Sequence, residues 1–294
     1  MEPLIQEFKA ETGIDVRVRY GGTTQLAVAI LEEGRRSPAD IFWSQDAGAL
    51  GAVHTEGMFV ELPDEITGSI PEQFVNSAGS WVATSGRARV LAYNSDRVSA
   101  DELPDSVLEL TSPEFRGNVG WAPGNASFQS FVTAMRILEG EERTKEWLQG
   151  MRVNNTIAYN NNTSILQGIS AGEVDYGITN HYYIDRIRAR DESYPVRIHF
   201  FEANDSGNLV NVAGMGILNS SRNQEKALRF VSFMLEAEAQ SFFANEVFEY
   251  PAIPDAEHEN EELNRLLELT PSVDMDALRD LDGTLQLLRE TGLL

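Results

Sequence analysis

The chain has 294 residues, enough for two lobes or one large α/β domain, and its hydrophobic share of 42% is that of an ordinary globular protein. Its 46 acidic residues against 23 basic ones give a net charge of −23, which argues against nucleic acid or anionic membrane as partner, since both need basic patches. Cysteine is absent, which excludes disulfides, thiolate metal sites, iron–sulfur clusters and cysteine nucleophiles, and no apolar run reaches the ~18 residues of a membrane span.

The basic residues are three lysines (Lys9, Lys145, Lys226) and twenty arginines. The acidic residues are spread along the whole chain rather than gathered on one segment. Such a surface stays hydrated at high salt, where self-repulsion is screened, so a halophilic source is expected. The four histidines (His54, His181, His199, His258) show no metal-ligand spacing such as HExxH. Met1-Glu2-Pro3 leads directly into a helix over Leu4–Phe8, with no signal-peptide pattern.

One local pattern then recurs five times along the chain: a short β-branched strand, a small or polar residue able to cap a helix, and an amphipathic helix. Asp15–Tyr20 leads through Gly21-Gly22 to Thr23 or Thr24 as cap and a helix over Gln25–Glu33. Asp40–Trp43 leads through Ser44-Gln45 to Asp46 and a helix ending near Glu56. Asn118–Trp121 leads through Pro123-Gly124 to Asn125 or Ser127 and a helix over Phe128–Leu138. Thr156–Tyr159 leads to Asn162 or Thr163 and a helix over Ser164–Ala171. Val174–Thr179 leads to Asn180-His181-Tyr182-Tyr183 and a helix over Ile184–Arg190, with Asn180 as cap.

Alternating strands and helices predict parallel sheets, and in open parallel sheets ligands bind outside the carboxyl ends of the strands. All five junctions lie at such ends and supply free helix N–H groups, which attract anions. Each cap taken singly is structural. The set together, rich in Asn, Ser and Thr, points to a polar ligand cleft. Two adjacent tyrosines at a strand-to-helix junction fit either one core aromatic and one surface aromatic, or two phenol oxygens converging on one hard cation. Arg87–Asn94 and Leu209–Leu218 read as two extended crossings in mid-chain, able to act as a hinge. Gln224–Glu238 and Asn260–Leu294 read as helical and structural.

These stretches resemble the ferric-iron-binding proteins of ABC importers, in the type II periplasmic binding protein superfamily. The resemblance covers essentially the whole chain. It is carried by the segment from Phe8 to Gly34, SPADIF from Ser37, WVATSGRARVLAYN from Trp81, GWAPGNASF from Gly120, the run from Asn161 to Tyr183 ending in NHYY, and NEVFEYPAIP from Asn245. SPADIF and NHYY are the most specific. The resemblance implies an α/β fold of two lobes joined by a two-strand hinge near 87–93 and 210–217, closing on ligand. It places 1–88 and 213–262 in the N-terminal lobe and 89–212 and 263–294 in the C-terminal one. The family's first strand and loop, which often supply a His or Tyr ligand, have no counterpart in the chain.

By the same resemblance Tyr182 and Tyr183 match the paired tyrosines that bind Fe³⁺ in an inter-lobe cleft. Asn125, Ser127, Asn162 and Asn180 fall in the loops that hold the accompanying carbonate- or phosphate-like anion, and Arg89 of the SGRARV segment is a further anion-holding position. Gln45 stands where some members carry a ligating Glu, with Asp46 beside it. Phe128 stands near where some members carry a tyrosine, and it cannot bind metal. Gln45, Asp46, Thr23 and Thr24 are additional candidate positions. The chemistry agrees: Fe³⁺ is hard and takes oxygen ligands, and a trivalent cation lowers a phenol from its usual value of about 10 far enough for phenolate at neutral pH. Helix N-termini would orient the anion, because a positive dipole end opposes a cation.

The implied function is that of a monomeric, periplasmic or extracellular solute-binding protein that hands Fe³⁺ to a membrane permease and is not itself inserted in the membrane. The alternative is the same fold carrying thiamine, a polyamine, a phosphonate or a small organic anion. An enzyme fits less well: no G-x-S-x-G or Walker-type loop is present, and His181 is the one base beside the tyrosines.

Overall fold

The computed structural model describes all residues except 254, 255, 257–264 and 267. In chain order the elements are α1 (Glu2–Thr12), α2 (Thr23–Glu33), β1 (Ile41–Ser44), α3 (Ala47–Thr55), α4 (Asp64–Thr67), β2 (Val82–Asn94), β3 (Val119–Trp121), α5 (Ala126–Glu139), α6 (Glu141–Val153), β4 (Ile157–Ala158), α7 (Asn162–Ala171), β5 (Tyr176–Asn180), α8 (His181–Arg188), β6 (Val196–His199), β7 (Val210–Ile217), α9 (Gln224–Met234), α10 (Ala237–Asn245), β8 (Tyr250–Pro251) and α11 (Leu281–Glu290). Short 3-10 turns link several of them.

The chain divides into two compact units. The first holds Met1–Gly86, Val212–Glu259 and Asp274–Arg279; the second holds Arg87–Asn211, Asn260–Val273 and Asp280–Leu294. The chain therefore passes from one unit to the other within β2 and again within β7.

In the first unit β1 pairs antiparallel with β7, Ile41 opposite Ile217, and β8 pairs antiparallel with β2 at Ser85 and Gly86. Its core is aromatic. Phe8 of α1 meets Phe230 and Phe233 of α9, and Trp43 of β1 meets Phe230 and Phe243, with centroid separations of 5.0 to 6.4 Å and mostly edge-on rings. That is the favoured geometry for aromatic pairs. The turn Met275–Arg279 belongs to this unit: buried Asp276 accepts hydrogen bonds from Asn76 Nδ2 and from Trp81 Nε1 (3.2 Å).

In the second unit β2 pairs antiparallel with both β5 and β6, while β3 pairs parallel with β4 and with β5. The core is again aromatic, with Trp121, Phe128, Phe131 and Trp147 in mutual edge contact. Phe128 is fully buried in it. α7 lies close on β3 and β5 because both strands carry glycine where it crosses. A Cβ at Gly120 would come 2.9 Å from the Tyr159 ring and 3.3 Å from Ile165, and one at Gly177 would overlap Ile165 Cγ2 and come 3.0 Å from Ile169. Gly177→Ala is accordingly expected to destabilise the protein by about 1–3 kcal/mol, the usual penalty for overpacking a filled core. A urea midpoint equal to that of the parent would refute the close-approach argument.

Several expectations need correction. Asp15–Tyr20 joins no ladder, although its Val16, Val18 and Tyr20 alternate like a strand; alternation supplies a face, and a strand also needs a neighbour's hydrogen bonds. The pairing is mixed rather than parallel, because β2 lies far in sequence from the strands it pairs with and no single crossover helix sets its direction. Helix starts also shift. α2 begins at Thr23 after Gly22, with no side-chain cap from Thr23 or Thr24. α7 is capped by Asn161, not Asn162 or Thr163. α8 begins at His181, so both tyrosines lie in its first turn rather than in a loop. The expected helical stretch over 260–264 lies outside the described residues.

Candidate functional site

Because β3, β4 and β5 run parallel, their carboxyl ends share one edge of the second unit, and α5, α7 and α8 all begin there. The three helix starts are tied together by side chains. Asn125 caps α5: its Oδ1 accepts from the Ser127 backbone N–H (2.9 Å) and from Ser127 Oγ (2.6 Å). Ser127 Oγ in turn accepts from Asn162 Nδ2 of α7 (3.2 Å) and from Arg89 Nη1 of β2 (3.1 Å). The hydroxyl is thereby saturated, one donation and two acceptances.

Arg89 is the hub. It stands directly opposite Asn180 in the β2–β5 ladder, so the two side chains share a face. Its Nη1 also donates to Asn180 Oδ1 (2.8 Å) and its Nη2 to the Ile178 carbonyl (3.0 Å). That bond explains why Asn180, at the N-cap position of α8, makes no side-chain cap. The guanidinium lies 5.7 Å from the Phe131 centroid, and the residue is only 2% exposed. Every acceptor it meets is a neutral oxygen. Burial pushes Arg89 down to about 9, with Tyr182 and Tyr183 pulling the other way. It therefore stays cationic at neutral pH, a buried charge held by dipoles and facing two phenols. Two polar atoms of the cluster, Arg89 Nε and Asn162 Oδ1, are buried without a hydrogen-bond partner, and Asn162 is 1% exposed.

Tyr182 and Tyr183 stack on each other, centroids 4.3 Å apart and planes at 29°. Tyr182 is 8% exposed, and Tyr183 is partly exposed. The His181 ring meets the Tyr182 ring edge-on at 5.9 Å, and its Nδ1 accepts from the Ala88 backbone N–H at 3.1 Å. An accepting Nδ1 puts the proton of the neutral ring on Nε2. The Arg186 guanidinium sits 4.8 Å from the Tyr182 centroid, one helical turn on.

The structure thus brings Arg89, Asn125, Ser127, Asn162 and Asn180 into one hydrogen-bonded cluster, with Tyr182 and Tyr183 close enough to act on Arg89's charge. The remaining candidates lie in the first unit. Asp46 caps α3 through Ala49 N–H (3.3 Å), Gln45 and Thr24 are exposed, and Thr23 is partly exposed in the first turn of α2. Sequence reasoning did not single out Asn161, Phe131 or Arg186. The Tyr182–Arg186 spacing of four residues on a helix is a signal that finds the last of these. Chemically, the cluster offers phenol oxygens suited to a hard cation and N–H groups suited to an anion.

Comparison with known proteins gives consistent results. A family model described as bacterial extracellular solute-binding protein matches residues 36–275. The Fe(3+)-binding periplasmic protein of Serratia marcescens is 33% identical over 99% of this chain and 86% of its own length. The major ferric iron-binding protein of Neisseria meningitidis serogroup B is 34% identical over 84% of this chain and 76% of its own. Among solved structures, iron-bound HitA from Pseudomonas aeruginosa superposes with a TM-score of 0.89 at 32% identity, covering 99% of this chain and 94% of HitA. The Trichodesmium protein in complex with iron and citrate gives 0.88 at 25% identity, covering 100% and 96%. The fold class is therefore that of the two-lobe periplasmic binding proteins.

Proposed function

This chain belongs to the family of bacterial extracellular solute-binding proteins, and from that premise we propose that its cargo is ferric iron, taken up outside the cytoplasmic membrane and passed to the permease of an ABC importer. Binding and release, without chemical conversion, is the task. The observation that carries the proposal is the stacked Tyr182–Tyr183 pair beside the buried, cationic Arg89, at the edge where α5, α7 and α8 begin.

Tyr182 and Tyr183 supply phenolate oxygens to Fe³⁺. Losing their protons on metal binding makes loading pH-dependent, stronger as pH rises. Arg89 contributes a fixed positive charge that offsets the negative charge gathered at the site, and it costs no rearrangement because Asn180, Ser127 and Ile178 already hold it. A carbonate- or phosphate-like anion completes the coordination. It is received by side-chain N–H groups of Asn125, Asn162 and Asn180 and by helix N–H groups, while the saturated Ser127 hydroxyl holds Asn125 and Asn162 in place. The unpartnered Arg89 Nε and Asn162 Oδ1 lie in this same cluster.

Titration with ferric ion against a weak chelator, with carbonate, phosphate or citrate present in turn, tests the proposal. A visible tyrosinate-to-iron charge-transfer band, saturating at one iron per chain, is expected. A colourless protein that leaves all the iron with the chelator under every anion would reject it.

A further inference from the structure

The mechanism just proposed uses the oxygens of Tyr182 and Tyr183 and the charge of Arg89. It leaves unexplained a second cation at the same place. The Arg186 guanidinium lies 4.8 Å from the Tyr182 ring centroid, well inside the ~6 Å within which a cation and an aromatic ring attract. Tyr183 stacks on the same ring at 4.3 Å and His181 meets its edge at 5.9 Å. The ring is thus fixed by its neighbours, and Tyr182 is 8% exposed, so water screens the charge on it poorly. Arg186 follows Tyr182 by one helical turn, so α8 itself sets the geometry. The residue four on from Tyr183 is the uncharged Ile187, so at this spacing α8 places no such cation over Tyr183.

We infer that Arg186 is a positioning and tuning residue for the cargo site, one that makes the two tyrosines unequal by lowering the electron-donating power of Tyr182 more than that of Tyr183. The inference rests on the ferric-iron reading above. A cation over a phenolate ring lowers the energy of its filled π orbitals. The metal, held beyond the phenol oxygen, feels the same charge from farther away. The gap between ligand donor orbital and metal acceptor orbital therefore widens more at Tyr182 than at Tyr183. Such a bond is weaker and more readily exchanged than its neighbour, which gives release an ordered first step.

The test compares iron-loaded wild-type protein with Arg186→Gln, Arg186→Met and Arg186→Lys, using ferric ion with carbonate as the probe. Expected is a shift of the charge-transfer band to longer wavelength in Arg186→Gln and Arg186→Met. Iron release to excess chelator should be slower in both, by ~3-fold or more, as expected for a contact worth about 0.5–1 kcal/mol. Arg186→Lys, which keeps the charge, should give a band close to the wild type. Arg186→Met retains the aliphatic stem, so a shift shared with Arg186→Gln is a charge effect rather than lost packing. An unshifted band in both neutral variants, or an equal shift in Arg186→Lys, overturns the inference while leaving the ferric-iron reading intact. A wild-type protein with no band at all removes that reading first, and this inference with it.

Discussion

Tyr182→Phe combined with Tyr183→Phe is expected to abolish the charge-transfer band and to lower ferric-iron affinity by far more than 100-fold, the upper end for loss of an outer partner of a metal ligand. Each substitution removes a single oxygen. The rings themselves remain, so the stack at 4.3 Å and the edge contact with His181 persist. Loss of a phenol hydrogen bond costs only about 0.5–1.5 kcal/mol of stability, so the double variant should stay folded with a nearly unchanged melting profile. The single variants separate the two oxygens. Each should retain a weaker band, because one phenolate remains. A double variant that still turns coloured with iron would show that the metal sits elsewhere. A colourless variant that has also unfolded would be recognised by circular dichroism and replaced by the singles.

Arg89→Met is expected to lower stability by about 2–4 kcal/mol and to weaken iron binding at neutral pH. The stability term follows from the bonds lost: buried Asn180 Oδ1 and the Ile178 carbonyl lose a charged donor, and leaving a buried acceptor unpaired costs about 1–3 kcal/mol. Ser127 Oγ suffers less, since it keeps Asn125 and Asn162. Relief of the desolvated charge offsets part of the loss, which is why the figure stays below the sum for three groups. The binding term has a separate origin. Without the cation, less positive charge offsets the phenolates and the anion that complete the site, so iron should be held less tightly than in the parent. Arg89→Lys does not restore the parent, because one ammonium cannot reproduce a planar fork that reaches Asn180, Ser127 and Ile178 together. Urea melts of the apo-protein and iron titrations against a weak chelator read the two effects apart. An Arg89→Met protein with parental stability would contradict the hub role. Parental iron affinity would contradict the electrostatic one.

Much of this site is legible in the chain itself. The NHYY run, the polar junctions at Asn125 and Asn180, and the Asp46 cap are local features, each written within a few residues of the backbone that uses it. Helix capping and strand propensity act over that same range, so the strand–helix alternation predicts most elements near their observed positions. The predicted caps at Thr23, Thr24 and Asn162 fail for a related reason. Several neighbouring polar residues can each serve locally, and packing chooses among them: Asn162 is drawn inward to Ser127, which leaves the capping to Asn161.

By itself the sequence determined composition class, the absence of thiol chemistry, the α/β pattern, the family resemblance and the adjacency of Tyr182 and Tyr183. It did not determine what surrounds them. Strand sense depended on β2 pairing with β5 and β6 far along the chain, and Asp15–Tyr20, for all its alternation, found no ladder. The ladder that sets Arg89 opposite Asn180 then decided that a conspicuous arginine is a buried hub rather than a surface group. The physical reason is one of range. Propensities and caps depend on adjacent residues, whereas burial, charge environment and partner choice depend on residues brought together only once the long-range pairings have formed.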